Sequence, residues 1–361
     1  MSALTTILLF GLLAQAGPTA HFVLAPREGS PRNSEGDFIA LKEGRILFIY
    51  TSFTGGGADN AAAHLESRIS ADAGRTWSDK DQTIPAKQGQ QNTMSVSLLR
   101  LKSGKIALFY LVKHSWKDCR AYMQLSGDEA HTWAEPRLTM PQEGYYIVNN
   151  DRVIQLASGR VVVPAAWHRF VEGKEFNRRA TAVCFLSDDE GKTWRRGRGP
   201  VEPPQEGTSG LQEPLVIELK DGRLLMLCRT DLGSQYRCCS DDGGETWSPA
   251  EPSEIKSPLA PASLKRIPST GDLLLIWNDH SKIDEALKDK RTPLCAAISR
   301  DEGKTWSPSK MIEADPQGWY CYTAIEFIDQ RVLLAYCAGK GRKEGLNTTR
   351  ITSFPIPWLY E

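Results

Sequence analysis

The sequence predicts an all-β protein, a six-bladed β-propeller, and three observations predict it. An eight-residue box, S-x-D-x-G-x-T-W, occurs at Ser70 to Trp77, Ser126 to Trp133, Ser187 to Trp194, Ser240 to Trp247 and Ser299 to Trp306, with Ala130 replacing glycine in the second copy. The box starts lie 56, 61, 53 and 59 residues apart, a period at which each repeat forms one small sheet. Every period also carries short apolar runs bounded by glycine turns, and long helical periodicity is absent.

In chain order, the apolar runs are Ile46 to Tyr50 after Glu43-Gly44, Ile106 to Tyr110 after Ser103-Gly104, and Val161 to Val163 after Ser158-Gly159. Leu224 to Leu227 follow Asp221-Gly222, and Leu273 to Ile276 follow Thr270-Gly271. Continuous apolar runs of this length suit strands buried on both faces, as radially stacked sheets require. A sixth unit lacks the box: Thr323 to Ile328, an Asp329-Gln330 turn, Val332 to Tyr336, then Thr349 to Phe354. His21 to Ala25 is expected to pair with the far end of the chain and close the ring, covering sheet edges that otherwise invite aggregation.

The box has a local physical task. Its Ser and Asp side chains accept bonds from nearby backbone N–H groups, its Gly supplies a positive φ, and its Trp lies over the turn. The Asp is therefore read as structural, since no copy has the acidic series of a calcium loop.

The six units account for residues 21–361 as a single domain. Hydrophobic content of 40% and charged content of 24% are those of an ordinary globular protein. Lys plus Arg and Asp plus Glu balance at 44 each, so bulk charge points to no nucleic-acid or membrane-surface partner. Residues 1–16 read as an export leader: an apolar core from Leu4 to Leu13, then Ala14-Gln15-Ala16, though without Lys or Arg ahead of the core. Export to the periplasm or outside the cell is the expectation, with no membrane span in the mature chain. The eight cysteines contain no C-x-x-C pair and lie mostly in strand-like runs, so they read as small buried apolar residues rather than a zinc site. No metal or cofactor is expected.

Propeller sites gather where the innermost strands begin, so polar residues just ahead of apolar strands are the candidates. They are Glu35 and Asp37 before Phe38, Asn149, Asn150 and Asp151 before Arg152-Val153, Glu213 before Pro214-Leu215, and Tyr322 before Thr323. His64, His168 and Arg237 lie in strand-adjacent segments. Asn347-Thr-Thr349 matches a glycosylation acceptor.

At Leu211 to Trp247, a Glu, an apolar strand, a D-G-R turn and a strand ending in Arg precede a box. With the repeated box, this segment resembles the sialidase (neuraminidase) superfamily of six-bladed exo-glycosidases. The resemblance implies that Glu213 polarises a nucleophilic tyrosine and that Arg229 binds a substrate carboxylate. Asp59, eleven residues before the first box, takes the acid/base role, and Arg291 takes a further place in the carboxylate clamp. Tyr322 fits the nucleophile register, with Tyr320 two residues away as competitor. A neutral tyrosine suits sialic acid, whose anomeric carbon bears a carboxylate that repels anionic nucleophiles. The sequence departs from the family where an Arg-Ile-Pro motif opens the first blade: it reads Arg32-Asn-Ser-Glu-Gly-Asp-Phe38, with Glu35 in the place of the Arg. Either Arg32 reaches in from three residues earlier or the clamp is incomplete, so a different sugar stays open. A non-catalytic glycan-binding propeller is the reading from another class. A glycan partner is common to all three.

Overall fold

The computed structural model describes residues 17–173 and 176–361; the expected leader, 1–16, lies outside them. The described residues are all-β, with one α-turn at Gly341–Glu344 and three short 3-10 turns among them. Among the described residues no helix is long and apolar enough to cross a membrane. The strands form five sheets, four of them four-stranded. The fifth has nine strands: two antiparallel stretches joined where Tyr145 pairs in parallel with Cys119.

Strands form where the apolar runs lie, and they continue beyond them. Ile46–Phe53 and Ile106–Lys113 are buried along their whole length, as middle strands with sheets on either side must be. Leu224–Arg229 likewise outlasts its apolar run and ends on a basic residue. Gly318–Ile328 and Arg331–Lys340 pair antiparallel, and Thr349–Pro355 follows them in the sheet. Thr19–Leu24 adds to the outer edge of Thr349–Pro355, with Thr19 opposite Ser353, so the first and last strands share one sheet.

All five boxes fold alike. The Ser Oγ accepts the amide of the fifth box residue at 2.9, 2.9, 2.7, 2.9 and 2.8 Å. One Asp oxygen accepts the Thr amide at 2.8–2.9 Å and the other accepts the Thr hydroxyl. The fourth and fifth residues both take positive φ, as at Glu302 (63°) and Gly303 (80°). Ala130 stands at the fifth position with φ 67°.

The first strands of successive sheets meet around a centre bridged by side chains. Asn150 Nδ2 donates to the carbonyls of Gly36 (2.8 Å) and Tyr322 (2.9 Å), joining strands from three sheets. Lower down, Asp151 bonds the Lys265 ammonium at 3.0 Å and the Ile325 amide at 2.8 Å. Asp37 takes the amides of Phe38 and Leu98, each at 2.7 Å. A cavity of about 490 Å³, lined by Asp151, Lys265 and Glu326 among apolar side chains, opens toward the far ends of these strands.

Candidate active site

Four of the inner strands share a deformation where they begin. Their pairing with the next strand slips between Ser34 and Asp37, Met94 and Ser97, Gln212 and Leu215, and Cys321 and Ala324. Inside the slips Glu35 (54°), Ser95 (58°), Glu213 (45°) and Tyr322 (58°) take positive φ, as does Asp151 (53°) ahead of its own strand. A non-glycine residue there costs about 1 kcal/mol or more, and such strain gathers where a side chain must be re-aimed. Here the bulges bring Glu35, Ser95, Glu213 and Tyr322 toward one end of the central channel.

The Tyr322 hydroxyl donates to Glu213 Oε1 at 3.2 Å, although 109 residues separate them in sequence. Arg229 binds the other oxygen, Oε2, at 2.6 Å. Burial, then the Glu213 charge, push the Tyr322 phenol well above its ordinary range, so it is neutral at rest. Arg291 lies against this pair, its guanidinium carbon 5.4 Å from the ring centres of Tyr322 and Trp319. Arg291 is 7% exposed, and its Nε and Nη1 have no hydrogen-bond partner among the described residues. Buried guanidinium donors without a partner are suited to an anion brought against them.

On the opposite side, Arg32 is fully buried and spans two carboxylates, Asp59 at 2.6 Å and Glu35 at 2.5 Å. Arg32 thus reaches the cluster from its earlier position. Glu35 also accepts the Ser95 hydroxyl at 2.7 Å; burial pushes its carboxyl up, with Arg32 and Ser95 pulling the other way. Asp59 differs in being open: its side chain is 63% exposed. Its partial burial raises the carboxyl, but Arg32, Lys113 and Arg291 outweigh that and hold it below its usual value.

The remaining candidates lie elsewhere. Tyr320 packs in an apolar core with Ile298 and Tyr336, its ring edge-on to Tyr336, and does not join Glu213. The bulge after Cys321 separates the two tyrosines that simple alternation puts on one face. Asp37 and Asp151 face the channel below and are held by backbone amides. Asn149 caps the Asn150 amide at 2.8 Å. His64 contacts Glu66 at 3.2 Å, and exposed Arg237 pairs with Glu251 at 2.9 Å on an outer strand. His168 bonds the Asn177 carbonyl at 2.9 Å, and burial draws its ring down to about 4.

Sequence reasoning missed Lys113, Ser95 and an aromatic wall of Trp116, Tyr145 and Phe176. Lys113 is 0% exposed and lies beside Asp59, with Nζ 3.5 Å from the Asp59 carbonyl and 3.9 Å from the Trp116 ring centre. The available signal was a basic residue ending a continuous apolar run, the same feature that marks Arg229. All eight cysteines are free and seven are buried; Cys321 and Cys337 face each other across adjacent strands. Among the described residues no group of three or more His, Cys, Asp or Glu is arranged to hold a metal.

A β-propeller-like fold with a tyrosine–carboxylate–arginine cluster at one end of its channel defines the class. Residues 44–330 match the BNR repeat-like domain, and the chain belongs to that family, within the sialidase superfamily. A sialidase of Micromonospora viridifaciens is 26% identical over 372 residues, covering 92% of this chain; the chain spans 53% of that relative's length. Among solved structures, a Dyadobacter fermentans DSM 18053 protein of unknown function superposes with a TM-score of 0.73 at 18% identity, covering 94% of this chain and 99% of that one. A leech intramolecular trans-sialidase superposes at 0.72 and 16% identity, covering 96% and 71%.

Proposed function

We propose that the protein is a sialidase-type glycoside hydrolase that removes a terminal acidic sugar with retention, on a six-bladed propeller, and that it acts after export. The six-blade reading divides the nine-stranded sheet at the single Tyr145–Cys119 bridge, which leaves two units of ordinary size. The observation that carries the function is the 3.2 Å bond from the Tyr322 hydroxyl to a carboxylate whose other oxygen is held by Arg229.

In this reading the Tyr322 oxygen attacks the anomeric carbon while Glu213 takes the phenol proton, and the glycosidic bond breaks as Asp59 protonates the leaving oxygen. Water, deprotonated by Asp59, then displaces the tyrosine from the sugar, and the phenol regains its proton from Glu213. Asp59 rests ionised because Arg32 and its neighbours favour the charge. A substrate carboxylate shared between Arg32 and Arg291 draws off that support, so the Asp59 pKa rises when substrate binds, as an acid requires. Its open position allows proton exchange with solvent.

One observation favours a second reading, hydrolysis of another sugar: Glu35 neutralises part of Arg32, the cation a substrate carboxylate needs. The test is hydrolysis of a fluorogenic sialoside beside a panel of neutral aryl glycosides. Sialoside turnover that falls by about 10³ in both Tyr322→Phe and Glu213→Gln supports the first reading. Turnover of neutral glycosides alone supports the second, and glycan binding without any turnover overturns the hydrolase.

A further inference from the structure

From the charges around the site, and resting on the acidic-sugar reading above, we infer that Lys113 sets the preference for an anionic sugar by offsetting Glu35. Charged groups surround the cluster: Arg32, Arg229, Arg291 and Lys113 against Asp59, Glu35 and Glu213, with buried Arg152 also within electrostatic reach of Glu213 and Tyr322. Cations outnumber carboxylates here, and Lys113 contributes one of the positive charges.

Each member of the offsetting couple is buried. Glu35 is 5% exposed, and its oxygens receive Arg32 and Ser95, donors that favour the ionised carboxylate. Among the described residues Lys113 has no carboxylate within 4.0 Å. Its hydrogen-bond partner, the Asp59 carbonyl at 3.5 Å, already accepts Asn92 Nδ2 at 2.9 Å. The segment around Asp59 is therefore fastened by Asn92, which also bonds the Ala61 carbonyl at 3.0 Å. A buried ammonium with no carboxylate in contact is costly, and burial draws the Lys113 pKa down; the Trp116 face and the more distant Asp59 and Glu35 charges answer part of that cost. An anion entering beside Arg291 completes the balance. Because the ammonium is covered, it acts on the ligand through its field, and one unit charge is expected to change affinity by about tenfold.

The experiment measures equilibrium affinity for N-acetylneuraminic acid and for its methyl ester, which keeps the same sugar ring but carries no charge, by calorimetric titration. Wild type is compared with Lys113→Met, Lys113→Arg, Glu35→Gln and the Lys113→Met/Glu35→Gln double variant, with thermal melts of each. The acid-to-ester ratio is expected to fall about tenfold in Lys113→Met, to hold in Lys113→Arg, to rise in Glu35→Gln and to return close to wild type in the double variant. An unchanged ratio in Lys113→Met, including equal weakening of both ligands, overturns the inference and leaves Lys113 as a support for the Asp59 segment. Should wild type bind neither ligand, the acidic-sugar reading fails, and this inference with it.

Discussion

Ala130 sits at φ 67° in a turn where the other four copies of the box have glycine. Its methyl group sits at the edge of the apolar cluster around Leu98 and Leu108 and repays only a little of that conformation, because the box bonds run through Ser126, Asp128 and Thr132. Ala130→Gly is accordingly expected to stabilise the protein by roughly 0.5–1 kcal/mol, the relief of left-handed strain less the added freedom of the unfolded chain. A denaturant midpoint that does not move upward contradicts this. The box chemistry was legible in the sequence because Ser, Asp, Gly and Thr act on their own neighbours. The positive φ of Glu35, Ser95, Glu213 and Tyr322 was not, since these residue types rarely adopt it and only packing across the channel enforces it.

At the scale of the strand, apolar runs mark the half of each strand that lies between sheets. They stop where the strand turns polar, which is where Lys113 and Arg229 stand. Glu213, Tyr322 and Asp59 were legible by resemblance to a family motif, whereas Lys113 belongs to no quoted motif and Ser95 sits inside a strand. Alternation alone left Tyr320 and Tyr322 unresolved, because the register slip lies in the hydrogen-bond ladder and not in the composition. Asn150 fixes that slip by holding the Tyr322 carbonyl and the Gly36 carbonyl together. Asn150→Ala removes both bonds from a fully buried position and is expected to cost about 2 kcal/mol of stability. It also frees the Tyr322 backbone, so under the proposed hydrolase function kcat is expected to fall with KM little changed. A variant with lowered stability and full kcat means that the asparagine merely fills space.

Across the whole molecule, the boxes share in setting the acid limit with Glu66, Glu129 and Asp231, which are also drawn down to about 2. Bonds from the Thr amide and hydroxyl draw Asp72, Asp128 and Asp301 down to about 2. Asp189 and Asp242 reach about 2 as well, the same bonds prevailing over slight burial. These folded values lie below the unfolded value of about 3.9. Their contribution to stability is therefore complete above pH 4 and is lost as the pH falls toward 2. Thermal melts from pH 6 to pH 2 are expected to drop steeply only in that last interval, and Asp301→Asn to flatten the drop. The pairing of the first strand with Thr349–Pro355 was legible as an apolar stretch near the start of the chain, but its register was not, since nothing local relates residues so far apart. Without residues 17–24, the edge of Thr349–Pro355 stands open, and self-association on size exclusion is the expected result. A well-behaved monomer counts against the closing role.

His21 meets Ser353 at 2.7 Å, 332 residues later in the chain. Ser353 must be made before that contact exists. Arg32 and Tyr322, which face the same hollow, are likewise distant in sequence. A growing polypeptide thus carries Arg32, Asp59, Glu213, Arg229 and Arg291 before it carries Tyr322, and the pairing of Thr19–Leu24 with Thr349–Pro355 comes only after all of them.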